Sequence, residues 1–438
     1  MAHIKIRKGL NIPLKAGPTG PVRAEIVSTE ASLDFCPFAP YIHPQLLVDI
    51  GDSVVTGQPL IGEKGESNRI WTSPATGIIK EIRRGPKRSL DSVIIQKTSE
   101  EKHYPFPVFE PSEAFEFLQK TGLLNHLWMR PFCLPASLKL KPKSIFIKAI
   151  ESAPYRPSSL MQLQRNEHYF QTGLNLLSSL VDGKVHLICS NEFPEFEHAQ
   201  RHTAEGPHPV SNPSLHIQLI DPILSIQDTV WTIDTYGVIA IGRAIETGKL
   251  HPARIISLAG EGIAEEHRGY YSVCDGADMQ SITYGKLSAT SGRLISGDPL
   301  TGSEVTSNDY LKYADTVVCS IPEATERKRL HFFRIKSPSF TAFRAYIGNL
   351  TISTRLHGEE RAFIDPSIYD RVMPLQIPTV PLIKSILAED FETAEILGIL
   401  EVAPEDFALS TFICPSKVEM TEIVRRGQQK MATENLSV

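Results

Sequence analysis

The sequence predicts an α+β multidomain protein with a barrel-sandwich N-terminal domain, an open α/β Rossmann-like domain, a small β-grasp-like module and a helical C-terminal region. Three observations predict this class. Residues 46–96 hold short β-rich runs separated by glycine and proline turns. Strand and helix patterns alternate after them, and the last hundred residues become helical. The predicted domain bounds are 1–103, 104–253, 254–330 and 331–438.

The barrel-sandwich prediction rests on two matched half-units. Residues 46–61 turn at Gly51-Asp52, and residues 70–82 turn at a Pro-x-x-Gly sequence, with a third run closing behind them. This pattern is typical of lipoyl and biotinyl carrier domains. Lys64 is the only lysine at the tip between the halves, but it lacks the Asp-Lys or Met-Lys setting of a carrier lysine. A solvated turn lysine fits better than an acylated one.

The segment after residue 104 favours an open sheet covered by helices. Strands are predicted at 144–150, 185–189, 215–220 and 229–233, and helices at 112–120, 166–181 and 236–247. A dinucleotide site would need G-x-G-x-x-G at a strand-to-helix turn. The nearest candidate, Gly260-Glu261-Gly262, lacks the third glycine and carries a carboxylate, so it is interpreted as a loop.

The remaining segments are shorter. Strands at 254–258, 270–273 and 293–295 enclose a helix at 278–284, which gives the order of a small β-grasp-like module. Helices are predicted at 381–388, 392–400 and 404–411, and Ser416 with Glu419 forms a capping box that opens a last helix to about residue 430.

Two basic segments have alternative interpretations. The RRGPKR turn, Arg83–Arg88, is either a solvated hairpin or a patch that faces anionic lipid or an acidic partner. Residues 325–336, TERKRLHFFRIK, carry five Lys/Arg beside two phenylalanines and are a candidate contact surface.

Composition excludes several classes of function. The net charge of -5 argues against a general nucleic-acid binder. No apolar run reaches the roughly 18 residues of a membrane span, and the N-terminus lacks the apolar core of a signal peptide. The chain is therefore expected in the cytoplasm unless a partner holds it to a membrane. The six cysteines are scattered, so reduced, mostly buried thiols are expected rather than a zinc or iron–sulfur site.

Two histidines in the GPHPVSNPSLH segment are candidates for metal binding or proton transfer. His208 lies between two prolines, and His216 follows eight residues later. Carboxylate and cysteine companions are missing nearby, so a rigid loop with hydrogen-bonded histidines is the favoured interpretation.

An aromatic loop and an aromatic stretch are the candidate binding residues. Residues 35–42, FCPFAPYI, place Phe35, Phe38 and Tyr41 on a backbone stiffened by prolines. Such rings either cover a core or form one wall of a pocket for a flat apolar ligand. Residues 127–133, LWMRPFC, place aromatic rings around one arginine.

Many short motifs in order resemble the A subunit of the Na+-translocating NADH:quinone reductases. They are KIRKGLNIP, LLVDIGDSV, TSPATGIIKEIRRGPKR, LWMRPF, EGPHP, VIAIG, SLAGEGI, LISGDPLTG, RVMPLQIPT and LSTFICPSK. The resemblance implies a peripheral subunit on the cytoplasmic face of the bacterial inner membrane, in a six-subunit translocase that couples electron transfer from NADH to ubiquinone with sodium export. The other five subunits are the implied partners.

The resemblance also implies which cofactors to expect. Flavins and iron–sulfur centres are expected in the partner subunits, with none tightly bound in this chain. Distant relatives carry a glycine-rich cofactor loop where this sequence has LWMRPFCLP, and no glycine lies between Gly122 and Gly173.

Because the A subunit is associated with the quinone end of the complex, we expect a quinone surface in this chain. The hypothesis is that Phe35, Phe38, Tyr41, Trp128, Arg130 and Phe132 meet to form it, with Arg130 as the donor to a quinone oxygen. Two alternatives stay open. Both stretches could only cover a domain junction, and the chain could be a docking scaffold without quinone contact.

Overall fold

A computed structural model describes residues 2–65, 68–137, 140–289, 292–323, 353–354 and 362–435. The predicted contact surface at 325–336 lies outside these residues. None of the helices in the described ranges is long and apolar enough to cross a membrane.

Residues 30–97 form the barrel-sandwich domain that the hairpin pattern predicts. One sheet has the order β3-β9-β8-β5 and the other the order β4-β6-β7. The left-handed conformation of Gly51, with φ of 97°, makes the predicted Gly-Asp turn. Lys64 is exposed just after β6, and its backbone N–H donates to His43. The strands are β3 Glu30–Asp34, β4 Pro44–Leu46, β5 Ser53–Val54, β6 Pro59–Glu63, β7 Ile70–Thr72, β8 Gly77–Arg84 and β9 Leu90–Lys97.

The α/β domain contains a seven-stranded sheet with the order β1-β14-β13-β12-β15-β10-β11. Its first five strands are parallel, and β10 joins β15 in antiparallel orientation. The strands are β1 His3–Lys5, β10 Trp128–Arg130, β11 Leu134–Pro135, β12 Ser144–Ala149, β13 Lys184–Cys189, β14 Gln200–Glu205 and β15 Val230–Asp234. The helices are α1 Ala114–Thr121, α2 Ser159–Leu163, α3 Glu167–Ser179, α4 Pro213–Ile220 and α5 Thr235–Thr247.

One predicted strand of this domain is wrong, because residues 215–220 belong to helix α4. Pro213 occupies the first turn, where its fixed φ favours a helix and its missing N–H costs nothing. Four consecutive residues of the helix, 214–217, are buried. Six residues are too few for a helical period to be told from a strand period, so the sequence pattern cannot separate the two.

A third sheet has the order β19-β18-β20-β16-β17-β2 and packs against a short helix. Its strands are β2 Val22–Ile26, β16 Ala253–Ala259, β17 Gly269–Cys274, β18 Gly292–Ser296, β19 Ser303–Val305 and β20 Val317–Pro322, and its helix is α6 Met279–Thr283. The predicted β-β-α-β order is present. The label β-grasp-like stays a prediction.

The first two strands pair with sheets outside the barrel-sandwich. Strand β1 pairs with β14 of the α/β sheet, and β2 pairs with β17 of the third sheet. The N-terminal segment thus ties these two sheets together before the chain enters the barrel-sandwich. A short strand carries no sequence signal for which sheet edge it joins, because any exposed edge can pair with it.

The C-terminal helices share one hydrophobic core with the α/β sheet. Phe407, Met420 and Val424 belong to the same buried cluster as the sheet strands. Ser416 does not cap the last helix, because that helix begins four residues later, at Met420; the Ser416 hydroxyl donates to the Ala362 carbonyl oxygen. The helices are α7 Ser367–Asp370, α8 Thr379–Leu387, α9 Phe391–Ile396, α10 Ala408–Ile413 and α11 Met420–Asn435.

Candidate functional site

The aromatic loop 35–42 folds into consecutive turns, since backbone N–H groups of residues 38 and 39 donate to Phe35 and those of 41 and 42 to Phe38. Phe35 and Phe38 are fully buried in the barrel-sandwich core. Both rings meet the indole of Trp71 edge-on, with centroids 4.9 and 5.3 Å away. Such edge-to-face contacts add to the stabilisation from burial. The loop is therefore held by its own domain.

The predicted aromatic loop and aromatic stretch are brought together by one ring pair. Phe38 stacks on Trp128 of β10, with centroids 5.6 Å apart and planes inclined by 20°. Tyr313 contacts Phe38 edge-on at 5.0 Å, and its hydroxyl donates to the Asn125 carbonyl oxygen at 2.6 Å. The barrel-sandwich, the α/β domain and the loop before β20 thus meet around Phe38.

Arg130 lies at the end of β10 and is almost completely buried. Its Nη2 donates to Glu405 at 3.0 Å, and its Nη1 donates to Ser214 at 3.2 Å. Burial disfavours its charge, but the nearby groups of Cys133, Glu405 and Asp406 outweigh burial and raise the pKa of the guanidinium. Arg130 therefore stays charged and ties the α/β sheet to the C-terminal helices.

A second acidic residue, Asp406, lies near the ion pair of Arg130 and Glu405. Asp406 is buried and accepts hydrogen bonds from Asn212 at 2.8 Å and from the Ala403 N–H at 2.7 Å. Burial, helped by the negative charge of Glu405, raises the pKa of Asp406 to about 6, while Arg130 opposes the shift. The charge state of Asp406 therefore depends on both Glu405 and Arg130, and the loss of either residue would change it.

Tyr41, Phe132 and Cys133 complete the junction. Phe132 is buried, whereas Tyr41 and Cys133 are partly exposed. Burial raises the pKa of the Tyr41 hydroxyl, and a hydrogen bond with Gln429 of α11 opposes the shift. Burial raises the pKa of the Cys133 thiol to about 12. At neutral pH the junction therefore presents a neutral phenol and a neutral thiol beside one charged guanidinium.

The predicted site residues separate into two groups. Trp128 and Tyr41 are only partly buried, and the other four lie in the core. Residues outside the predicted set also contact it directly, among them Trp71, Tyr313 and Glu405. Trp71 lies in the half-unit pattern, but no sequence signal points to Tyr313 or Glu405, since each lies about 275 residues from its partner.

Comparison with known proteins identifies the family. Family models match residues 4–98 as an NqrA N-terminal barrel-sandwich hybrid domain, 110–250 as an NqrA second alpha/beta domain and 255–307 as an NQRA C-terminal domain. The Na(+)-translocating NADH-quinone reductase A subunit of Chlamydia caviae is 35% identical over 98% of this chain and 97% of that protein. The chain belongs to this A-subunit family. The A subunit of Chlamydia pneumoniae is 33% identical over 99% of this chain and 98% of its own length. The A subunit of Cellvibrio japonicus is 32% identical over 98% and 100%.

Membership of the A-subunit family confirms the resemblance that the short motifs indicate. The matched N-terminal family model also agrees with the predicted barrel-sandwich. The chain is accordingly one component of a sodium-translocating NADH-quinone oxidoreductase.

In this member of the A-subunit family, ion pairs lie at the edge of the α/β sheet where the parallel strands end. Arg156 contacts Asp298 at 3.3 Å and Glu151 at 3.8 Å. Such an edge is where open α/β sheets usually bind ligands. Gly260 forms a turn against the Ser320 backbone, as the loop interpretation predicts. A phosphate at this edge would meet two carboxylates.

The two histidines of the GPHPVSNPSLH segment serve as hydrogen-bonding groups, His208 in the loop and His216 in α4. His208 Nδ1 lies 3.0 Å from the Ser152 hydroxyl, and His216 Nε2 lies 2.8 Å from the Val210 carbonyl oxygen. Across the described ranges, no group of three or more His, Cys, Asp or Glu is placed to hold a metal ion. Burial lowers the pKa of each of these two histidines to about 4.

The buried His216 predicts a loss of stability in acid. The unfolded chain binds this proton below about pH 6.5, but the folded chain binds it only near pH 4. The free energy of unfolding should therefore fall as the pH drops from 6.5 to 4, by up to about 3 kcal/mol for this group. Urea unfolding of His216→Gln at several pH values should show a shallower fall than the parent. Parallel pH profiles of the two proteins would contradict the assignment.

Proposed function

We propose that this chain is a peripheral subunit of a Na+-translocating NADH-quinone reductase, placed at its quinone-reduction end. It would lie on the cytoplasmic face of the bacterial inner membrane, with membrane contact made through the other five subunits. Flavins and iron–sulfur centres would belong to those partners, and ubiquinone would be the substrate near this chain. The observation that carries the proposal is the stacked Phe38–Trp128 pair, with Arg130 two residues further along the same strand, in a chain of the A-subunit family.

The members of this junction would have different roles. Trp128 and Tyr41 are partly exposed and would contact the flat quinone ring. Phe35, Phe38 and Phe132 are buried and would hold those two rings in place. Arg130 is engaged by Glu405, which compensates much of its charge, so it would act mainly by holding β10, and with it Trp128, in place.

A photoreactive ubiquinone analogue in the assembled complex tests the quinone contact. Labelling is expected within residues 35–42 or 127–133. Trp128→Phe should keep most of the quinone affinity, because it retains a ring, whereas Trp128→Ala should raise the quinone KM by about tenfold. Tyr284→Ala is the matched control, since Tyr284 is a highly exposed aromatic residue in a different part of the fold. Labelling confined to other subunits would contradict the proposal.

The second candidate function is a docking scaffold, favoured by the complete burial of Phe35, Phe38 and Phe132. Their packing is what a rigid junction requires, whether or not a ligand binds there. A scaffold predicts that Trp128→Ala weakens assembly of the complex while assembled complexes keep their quinone KM. Quantifying assembly and kinetics in the same preparation separates the two functions.

A further inference from the structure

A cleft of about 410 Å³ lies between the α/β domain and the third sheet. Neither Phe38 nor Trp128 lines it. One side is formed by the α2–α3 connection and α5, and the other by β2, β16 and β17. Its volume lies within the range of about 300 to 1,000 Å³ that is usual for small-molecule sites. A ligand there would contact two domains at once.

The side chains that line the cleft are strongly biased in charge. They include Arg165, Arg243, Arg254 and His251, and no carboxylate occurs among the described residues that line it. Arg254 is neutralised by Asp275, to which its Nε donates. Arg165 is exposed to solvent at the rim. The electrostatic potential in the cleft is therefore positive.

The charge of Arg243 is not compensated by a carboxylate within the described residues. Its Nη2 donates to the neutral amide oxygen of Asn166, and its guanidinium lies over the Tyr169 ring, 4.9 Å from the centroid. The amide and the ring fix the guanidinium without cancelling its charge. A guanidinium that is held in place, and whose charge is not compensated, is ready to donate hydrogen bonds to an oxyanion.

His251 gives a second, independent observation. Its Nε2 is buried and has no hydrogen-bond partner among the described residues. A buried polar atom without a partner is costly, so the ring would gain from any rearrangement that gives its Nε2 a hydrogen-bond partner. Four charged or titratable groups surround the ring, namely Arg243, His103, Lys249 and Glu101. Burial and the charge of Arg243 lower the pKa of His251.

We propose that this cleft binds a small organic anion, a phosphate or a carboxylate carried on a body about the size of a nucleoside. Arg165 and Arg243 receive the oxyanion, and the apolar wall of Met161, Ile239 and Ala240 receives the body. Phosphate esters and polycarboxylates share this chemistry. The site is independent of the proposed quinone contact, because it lies on different elements.

Calorimetric titration of the full chain at low salt tests the site with adenosine monophosphate, adenosine, citrate and inorganic phosphate as probes. Adenosine monophosphate or citrate should bind with a Kd below about 1 mM, and adenosine should bind at least about tenfold more weakly. Tighter binding of the nucleotide than of citrate assigns a phosphate ester, and the reverse assigns a polycarboxylate. Bound ligand should also raise the Tm, because it binds only the folded chain.

Variants decide whether the proposed residues carry the binding. Arg165→Gln and Arg243→Lys should each weaken it by about tenfold, the effect of losing one charge-assisted hydrogen bond. Arg7→Gln removes the same charge at a position outside the cleft and should change nothing. Nuclear magnetic resonance should show that the bound anion raises the pKa of His251. Failure of both anions to bind at about 1 mM, equal binding of adenosine, or unchanged affinity in Arg165→Gln would overturn the proposal.

Discussion

Gly242→Ala is expected to destabilise the chain by about 3 kcal/mol or more, because α5 and α3 approach each other most closely at this glycine. A Cβ at Gly242 would lie 1.8 Å from the Tyr169 carbonyl oxygen and 2.8 Å from the Gly173 nitrogen. Backbone atoms of a packed helix cannot move aside as a flexible side chain can. Alanine would gain about 1 kcal/mol in helix propensity, which is too little to offset such an overlap.

The measurement for Gly242 is chemical unfolding of the full chain, with Gly248→Ala as the matched control. Gly248 ends the same helix with φ of 66°, and nothing lies within 4 Å of the position that a Cβ would take there. The control should cost only about 1 kcal/mol, from backbone strain alone. Similar losses for the two variants would show that the close approach of α3 and α5 is not the cause.

Local sequence signals predict the helices and turns of this fold better than they predict which elements pair or pack together. The Gly51-Asp52 turn, helix α3 and helix α5 follow from turn chemistry and helical periodicity within about 20 residues. Helix α4 escapes prediction because its eight residues are too few for a helical period to stand out from a strand period. The sheet assignments of β1 and β2 depend on edges that are formed much later in the chain.

The candidate site shows the same division. The sequence indicates that Phe38 and Trp128 belong to one surface, and the rings do stack. It cannot indicate that Arg130 is engaged by Glu405, because that contact requires the C-terminal helices to pack on the α/β sheet. A charged residue with a distant partner looks the same in sequence as one that is free for a ligand. Its partner therefore changes the role assigned to Arg130 from a direct donor to a residue that holds β10 in place.

The ion pair between Arg130 and Glu405 predicts unequal effects of removing its two members. Glu405→Gln should cost about 2 kcal/mol, because it leaves the nearly buried guanidinium without its closest carboxylate. Arg130→Met should cost about 1 kcal/mol, since Glu405 is 41% exposed and can turn to water. Met also fills much of the volume of the arginine stem, which limits the loss of packing.

Two measurements check this asymmetry. Chemical unfolding of both single variants and the double variant gives the coupling energy between the side chains. Because the charge of Glu405 helps to raise the pKa of Asp406 to about 6, Glu405→Gln should lower that pKa and Arg130→Met should raise it.

A larger loss from Arg130→Met than from Glu405→Gln would show that the guanidinium stabilises the fold mainly through its packing and its bond to Ser214. A larger loss from Glu405→Gln, with the pKa of Asp406 moving in opposite directions in the two variants, would instead show that the buried guanidinium is charged and needs Glu405 as its counter-charge. Such an ion pair holds β10, and with it Trp128, against the C-terminal helices, and the proposed quinone contact requires that fixed geometry.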